Sequence, residues 1–129
     1  MTKVIVVPWD ADQPIRETEI SEQRSTEEME ALIFGPLNPG ATTSRVIGGS
    51  VMKRGTQAFY DDEGMFNQPF NVNVRAMKLW AHLSGRPVTD FVQPLWGNYV
   101  VYGYDEEGTS LDVSDEVREF FAEDVIVNG

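Results

Sequence analysis

The sequence predicts an α+β fold: one domain over residues 1–129, with a mostly antiparallel sheet and about three helices. Three observations lead there. Short β-favouring runs arrive at hairpin-like spacing, and three helix-like segments opened by Ser or Asn interrupt them. The regular strand–helix–strand rhythm of a parallel sheet is missing. A chain of this length buries roughly two thirds of its unfolded surface, enough for a core of its own.

The elements follow in order. "KVIVV", residues 3–7, is a β-branched run closed by Pro8 and reads as a buried strand. "DADQP", residues 10–14, is turn composition, and "IRETEI", residues 15–20, sets Ile15, Glu17 and Glu19 against Arg16, Thr18 and Ile20. That alternation predicts an edge-like second strand completing a hairpin. Ser25 with Glu28 three residues on predicts a capping box. Behind it, Met29, Leu32 and Ile33 form one apolar stripe of a helix that Gly35-Pro36 ends, and residues 35–44 read as loop. Between 45 and 60, runs at 45–47, 50–53 and 56–60 predict two or three strands punctuated by Gly48-Gly49 and Gly55. A second helix is expected near 73–84, capped by Asn71 or Asn73 and closed by Gly85. Its broad apolar side, Val74, Met77, Leu79, Trp80 and Leu83, predicts deep burial. "NYVVYGY", residues 98–104, is the clearest late strand. Ser114 caps a last helix near 115–123, with Val117, Phe120 and Phe121 inward and Asp115, Glu116, Glu119 and Glu123 towards water.

The charge is uneven. Residues 1–30 hold eight acids and three bases, residues 31–95 four and six, and residues 96–129 nine and one, which together give the net −11. Phosphates need cationic partners, so direct nucleic-acid binding or adsorption to an anionic membrane through the acidic ends is not expected. Acidic surface favours basic partners instead. The chain has no cysteine, which removes disulfides and thiolate chemistry. No run approaches the ~20 apolar residues of a membrane span. The N-terminal apolar run is too short for a secretory signal, so the expected setting is the cytoplasm.

"FYDDEG", residues 59–64, returns forty-four residues further on as "GYDEEG", residues 103–108. A type I turn favours Asp at its first position and Gly at its fourth, as in Asp61-Asp62-Glu63-Gly64 and Asp105-Glu106-Glu107-Gly108. A calcium loop spaces its acids alternately and ends on a Glu six residues after the Gly; here Phe70 and Ser114 stand at those places. The turn reading is preferred, and no metal or other cofactor is expected.

Other chemical motifs fall short. "GPLNPGAT", residues 35–42, has Ala41 where a phosphate loop needs Lys, and "GGSVM", residues 48–52, lacks the closing Gly of a nucleophile elbow. His82, the one histidine, falls late in the second helix with no Ser or Asp placed against it by sequence. No catalytic residue is therefore assigned. Trp80, Tyr99 and Tyr102 are expected in the core, and Trp9, beside Pro8 in a turn, at the surface.

Residues 59–80, "FYDDEGMFNQPFNVNVRAMKLW", and 90–108, "DFVQPLWGNYVVYGYDEEG", resemble a family of small acidic proteins of bacteriophages, their mobile relatives and some bacteria, known as a domain of unknown function. The "KV-hydrophobic-Pro" strand of residues 3–8 and the segment Asn73-Val74-Arg75-Ala76 match its pattern, while extra residues precede Gly97 where the family reaches its late strand. The resemblance implies a phage or mobile-element accessory protein and transfers no catalytic residue.

The expected function is non-enzymatic binding of a host protein with a basic surface. Mimicry of DNA or an anti-defence role would be a special case. The candidate contact residues are Asp105, Glu106, Glu107, Asp115, Glu116, Glu119, Glu123 and Trp9. The alternative is a small metal-dependent hydrolase using Asp61, Asp62, Asp105 and Glu107, which requires the two acidic turns to meet.

Overall fold

The computed structural model describes residues 1–21, 25–34, 47–51, 55–62, 71–90, 94–107, 110–122 and 125–127. The fold is α+β. Its elements are β1 (Thr2–Val7), β2 (Ile15–Ile20), α1 (Ser25–Phe34), β3 (Ile47–Val51), β4 (Thr56–Asp61), α2 (Val74–Ser84), a 3₁₀ turn (Val88–Asp90), β5 (Tyr99–Tyr104), β6 (Ser110–Leu111), α3 (Asp115–Phe120) and β7 (Val125–Val127). The strands form one sheet in the order β3-β4-β5-β1-β2-β7, with β6 paired to β5. All pairings are antiparallel except β2 with β7.

The continuous apolar runs of β1 and β5 have a simple cause: both faces of the sheet are covered. Val4 and Val6 of β1 and Val100 and Tyr102 of β5 meet Met29 and Ile33 of α1 on one face. Ile5, Val7, Tyr99 and Val101 meet Ala76, Leu79 and Leu83 of α2 and Val117 of α3 on the other. Residues 4–7 of β1 and 99–103 of β5 are therefore buried without alternation, because neighbouring residues of a pleated strand point to opposite, equally covered faces. Stacked aromatic pairs brace the β4–β5 ladder: Tyr60 on Tyr99 at 5.0 Å on the α2 side, and Phe59 on Tyr102 at 5.4 Å on the α1 side. As expected, Tyr99 and Tyr102 are core, and Trp80 is half-buried against it.

Burial raises the pKa of Tyr99, and the neighbouring Tyr60 raises it further. Tyr102 is pushed up to about 12 by burial, against a smaller lowering by its hydrogen bond with Ser110. Both phenols stay protonated in the fold at pH values where the unfolded chain, with tyrosines near pH 10, already releases protons. Their contribution to stability is complete below about pH 10 and is lost as pH rises, for Tyr102 through about 12 and for Tyr99 at still higher pH. The urea midpoint should therefore fall between about pH 9 and about pH 11.5, and a flat midpoint over that range would contradict the burial of these phenols.

The helix ends follow their residues, with one exception. Asn73 precedes α2 and its Oδ1 accepts the Ala76 N–H at 2.9 Å. Gly85 closes α2 in the left-handed conformation at φ 67°, and the Arg86 N–H reaches back to the Ala81 carbonyl at 3.1 Å. Ser114 Oγ accepts the Val117 N–H at 3.4 Å at the start of α3. The exception is α1. Ser25 is already its first helical residue, and the Glu28 carboxylate accepts from the Ser21 N–H at 2.6 Å and hydroxyl at 3.0 Å. Glu28, expected to reach back to Ser25, instead tethers α1 to the end of β2.

Other expectations are corrected. β2 is not an edge, because β7 runs beside it in parallel, with Ile15 opposite Val125 and Glu17 opposite Val127. Gly48 and Gly49 lie inside β3 opposite Tyr60 and Phe59 rather than interrupting it. The absent side chain at Gly49 leaves room for the Phe59 ring, which a Cβ there would approach to 3.0 Å. α3 ends at Phe120 rather than near 123. The loop expected at 35–44 lies outside the described residues, as do Glu63, Gly64, Gly108 and Glu123.

Candidate docking surface

The surface is built where β1 and β5 part. They pair from Ile5 opposite Val101 to Val7 opposite Tyr99. Beyond Ile5, β6 enters between them, with Leu111 opposite Gly103 and Ser110 opposite Tyr104. The Val113 N–H donates to the Lys3 carbonyl at 2.9 Å, and the Lys3 N–H donates to Asp112 Oδ1 at 2.9 Å. This wedge brings the β5–β6 turn, the start of β1, the end of β2 and the N-terminus of α3 to one end of the sheet. Glu19, Glu106, Glu107, Asp112 and Asp115 are exposed there, and Asp105 is half-buried. Among the described residues, Lys3, opposite Glu19, the N-terminal amine and Arg118, beside Asp115, carry positive charge at this end.

The turn reading of the second acidic stretch agrees with its hydrogen bonding: Asp105 Oδ1 accepts the Glu107 N–H at 2.9 Å, an Asx turn. Asp105 thus shapes the loop that presents Glu106 and Glu107. Along α3, Arg118 Nε meets Glu17 Oε1 on β2, and Arg118 Nη1 lies 3.5 Å from Asp115 Oδ1. This pairing fastens α3 to the sheet and offsets part of its acidity. Glu119 is exposed on α3, Glu116 is half-buried rather than turned fully to water, and Glu123 falls outside the described residues.

The remaining candidate, Trp9, is not part of this surface. Its N–H donates to Asn98 Oδ1 at 3.1 Å, which places it at the opposite end of β5 from Asp105. The two acidic turns are separated in the same way. Phe59 pairs with Val100 and Thr56 with Gly103, so Asp61 lies level with Asn98, at the far end of β5 from Asp105. Seven strand residues at ~3.3 Å each put them on the order of 20 Å apart. Asp61, Asp62, Asp105 and Glu107 therefore do not converge, and Asp61 is itself buried at 3% exposure. No group of three or more potential metal ligands is assembled among the described residues. His82 is exposed and lies on the Phe120 ring at 4.8 Å, a packing contact.

Two residues assigned no function by sequence position the opposite end. Asn73 Nδ2 donates to the carbonyls of Val7 and Gly97, both at 2.8 Å. Arg75 Nη2 donates to the carbonyls of Pro8 and Asp10 at 2.8 Å and Gln13 at 2.9 Å, holding the β1–β2 turn against α2. Only the capping role of Asn73 was readable locally; the carbonyls it joins lie 24 and 66 residues away.

Compared with protein-family models, curated proteins and solved structures, the chain matches none. Among the described residues no helix is long and apolar enough to cross a membrane.

Proposed function

We propose that the protein is a non-enzymatic binding module whose acidic sheet end docks onto a basic surface of a host protein. The observation that supports this is the gathering of Glu19, Asp105, Glu106, Glu107, Asp112 and Asp115 around the β6 wedge, a set drawn from three separate stretches of the chain. Exposed like charges at one end of a small domain repel one another and are relieved by a cationic partner, which also speeds encounter. The motifs at residues 59–80 and 90–108 add the reading of a phage or mobile-element accessory protein, with anti-defence activity as one form of it. The hydrolase alternative needs a junction of the two turns that the register keeps apart.

The test compares the native protein with the triple variant Glu106→Gln, Glu107→Gln, Asp115→Asn in capture from host lysate. Asp105 is left intact because it shapes the turn. A basic partner should be held at about 50 mM salt, released at about 300 mM, and lost from the variant, since exposed charges act over a Debye length of ~10 Å at 0.1 M. A partner indifferent to both salt and variant, or none at all, would refute the reading.

A further inference from the structure

A groove of about 540 Å³ opens on the α1 side of the sheet, between the β1–β2 turn and α1. It lies at the sheet end away from the acidic surface and is independent of it. Its volume falls within the roughly 300–1,000 Å³ of small-molecule sites. Val6 and Leu32 give it an apolar base, and Pro8 and Pro14 stiffen its walls. Trp9, 36% exposed, stands at its side, with its backbone N–H anchored on Asn98 Oδ1. Asn98 is held in turn from the helix side, where its Nδ2 donates to the Ile33 carbonyl at 3.2 Å. The site is thus braced from two directions.

Arg16 supplies its chemistry. It sits on β2 opposite Val6, half-buried, and lines the groove. Among the described residues its guanidinium has neither hydrogen bond nor ion pair. The next acid on β2, Glu17, points to the other face and is engaged by Arg118. Asp10, at the groove, accepts the Asp12 N–H through Oδ1 in its own turn. In a chain with 21 acids and 10 Lys and Arg, a half-buried guanidinium left unpaired beside a Trp is a site for an external anion.

We propose that this groove binds a small apolar monocarboxylate, its carboxylate on Arg16 and its apolar body against Trp9 and Leu32. One guanidinium matches one carboxylate bidentately. The adjacent Asp10 and the net charge of −11 disfavour dianions such as phosphate.

The test is an NMR titration of the Trp9 indole N–H and the Arg16 side chain with phenylacetate, phenylacetamide and inorganic phosphate. Phenylacetate should bind with roughly millimolar Kd, the neutral amide and phosphate at least about tenfold more weakly. Arg16→Gln should weaken phenylacetate about tenfold, with the amide spectrum showing an intact fold. Trp9→Ala should weaken it too, whereas Lys78→Gln, which removes an exposed positive charge from α2, should not. Equal binding of the amide or phosphate, no effect of Arg16→Gln, an equal effect of Lys78→Gln, or no response of Trp9 at about 20 mM phenylacetate would each overturn the assignment.

Discussion

Replacing Asn73 by Ala is expected to destabilise the protein by about 4 kcal/mol. The residue is fully buried and its amide does three things. Its oxygen caps α2 at Ala76, and its nitrogen holds the carbonyls of Val7 at the end of β1 and Gly97 before β5. Its own N–H donates to the Leu95 carbonyl at 2.8 Å. Truncation removes the cap, worth ~1 kcal/mol, and leaves two carbonyls without their donor at ~1–3 kcal/mol each. Domains of this kind have only about 5–15 kcal/mol in total, so the variant should show a large drop in urea midpoint. Asn73→Asp separates the contributions: it can still cap α2 but has no donor for the carbonyls, and its charge faces them. It should be no better than Ala. If Asp is tolerated while Ala is not, the cap alone matters and the bridging role is wrong.

Gly103→Ala is expected to be nearly as damaging, for a steric reason. A Cβ on Gly103 would stand 2.5 Å from the Asp112 carbonyl oxygen and 3.4 Å from Leu111 Cβ. The first obstacle is backbone, which cannot rotate away as a side-chain tip does. Either β6 shifts outward, breaking the Lys3–Val113 and Lys3–Asp112 hydrogen bonds, or β5 distorts. Overpacking of this sort costs about 1–3 kcal/mol. Gly49→Ala, whose Cβ would meet the edge of the Phe59 ring at 3.0 Å, is the milder comparison, because a ring can tilt. Thermal melts of the two variants should rank Gly103→Ala clearly lower. Because β6 assembles the acidic end, Gly103→Ala should also weaken partner capture under conditions where the protein remains folded. An Ala at 103 with native stability would mean that β6 does not lie against β5 as described.

Much of the fold was legible because its signals are local. Residues 4–7 and 99–102 are apolar without alternation, and such runs belong in strands covered on both faces. α2 carried an Asn cap, an apolar stripe and a terminal Gly within a dozen residues, and its limits were read to within one residue. β6 and β7, two and three residues long, offered too little pattern to be seen, and β2 therefore looked like an edge. The alternation of Ile15, Glu17 and Glu19 against Arg16, Thr18 and Ile20 marks a strand. It could not reveal that a three-residue strand would arrive from more than a hundred residues away to cover it. The Ser25–Glu28 spacing matches the capping-box pattern, yet the Glu28 side chain reaches back to Ser21 instead.

The candidate surfaces divide along the same line. Composition and order along the chain determined that acids crowd both ends of the sequence, that Asp105, Glu106 and Glu107 make a turn, that Trp9 comes to the surface and that no thiol chemistry exists. These depend on residue type and near neighbours. Only the tertiary structure decided that Glu19, Asp105, Glu106, Glu107, Asp112 and Asp115 share one end of the sheet, that the two acidic turns stand apart, and that Arg16, Trp9 and Leu32 line one groove. The physical reason is that strand register and helix docking are set by burial across the whole sheet. A shift of one residue would turn Val4 and Val6 away from α1, and no local stretch contains the information to choose between the two arrangements.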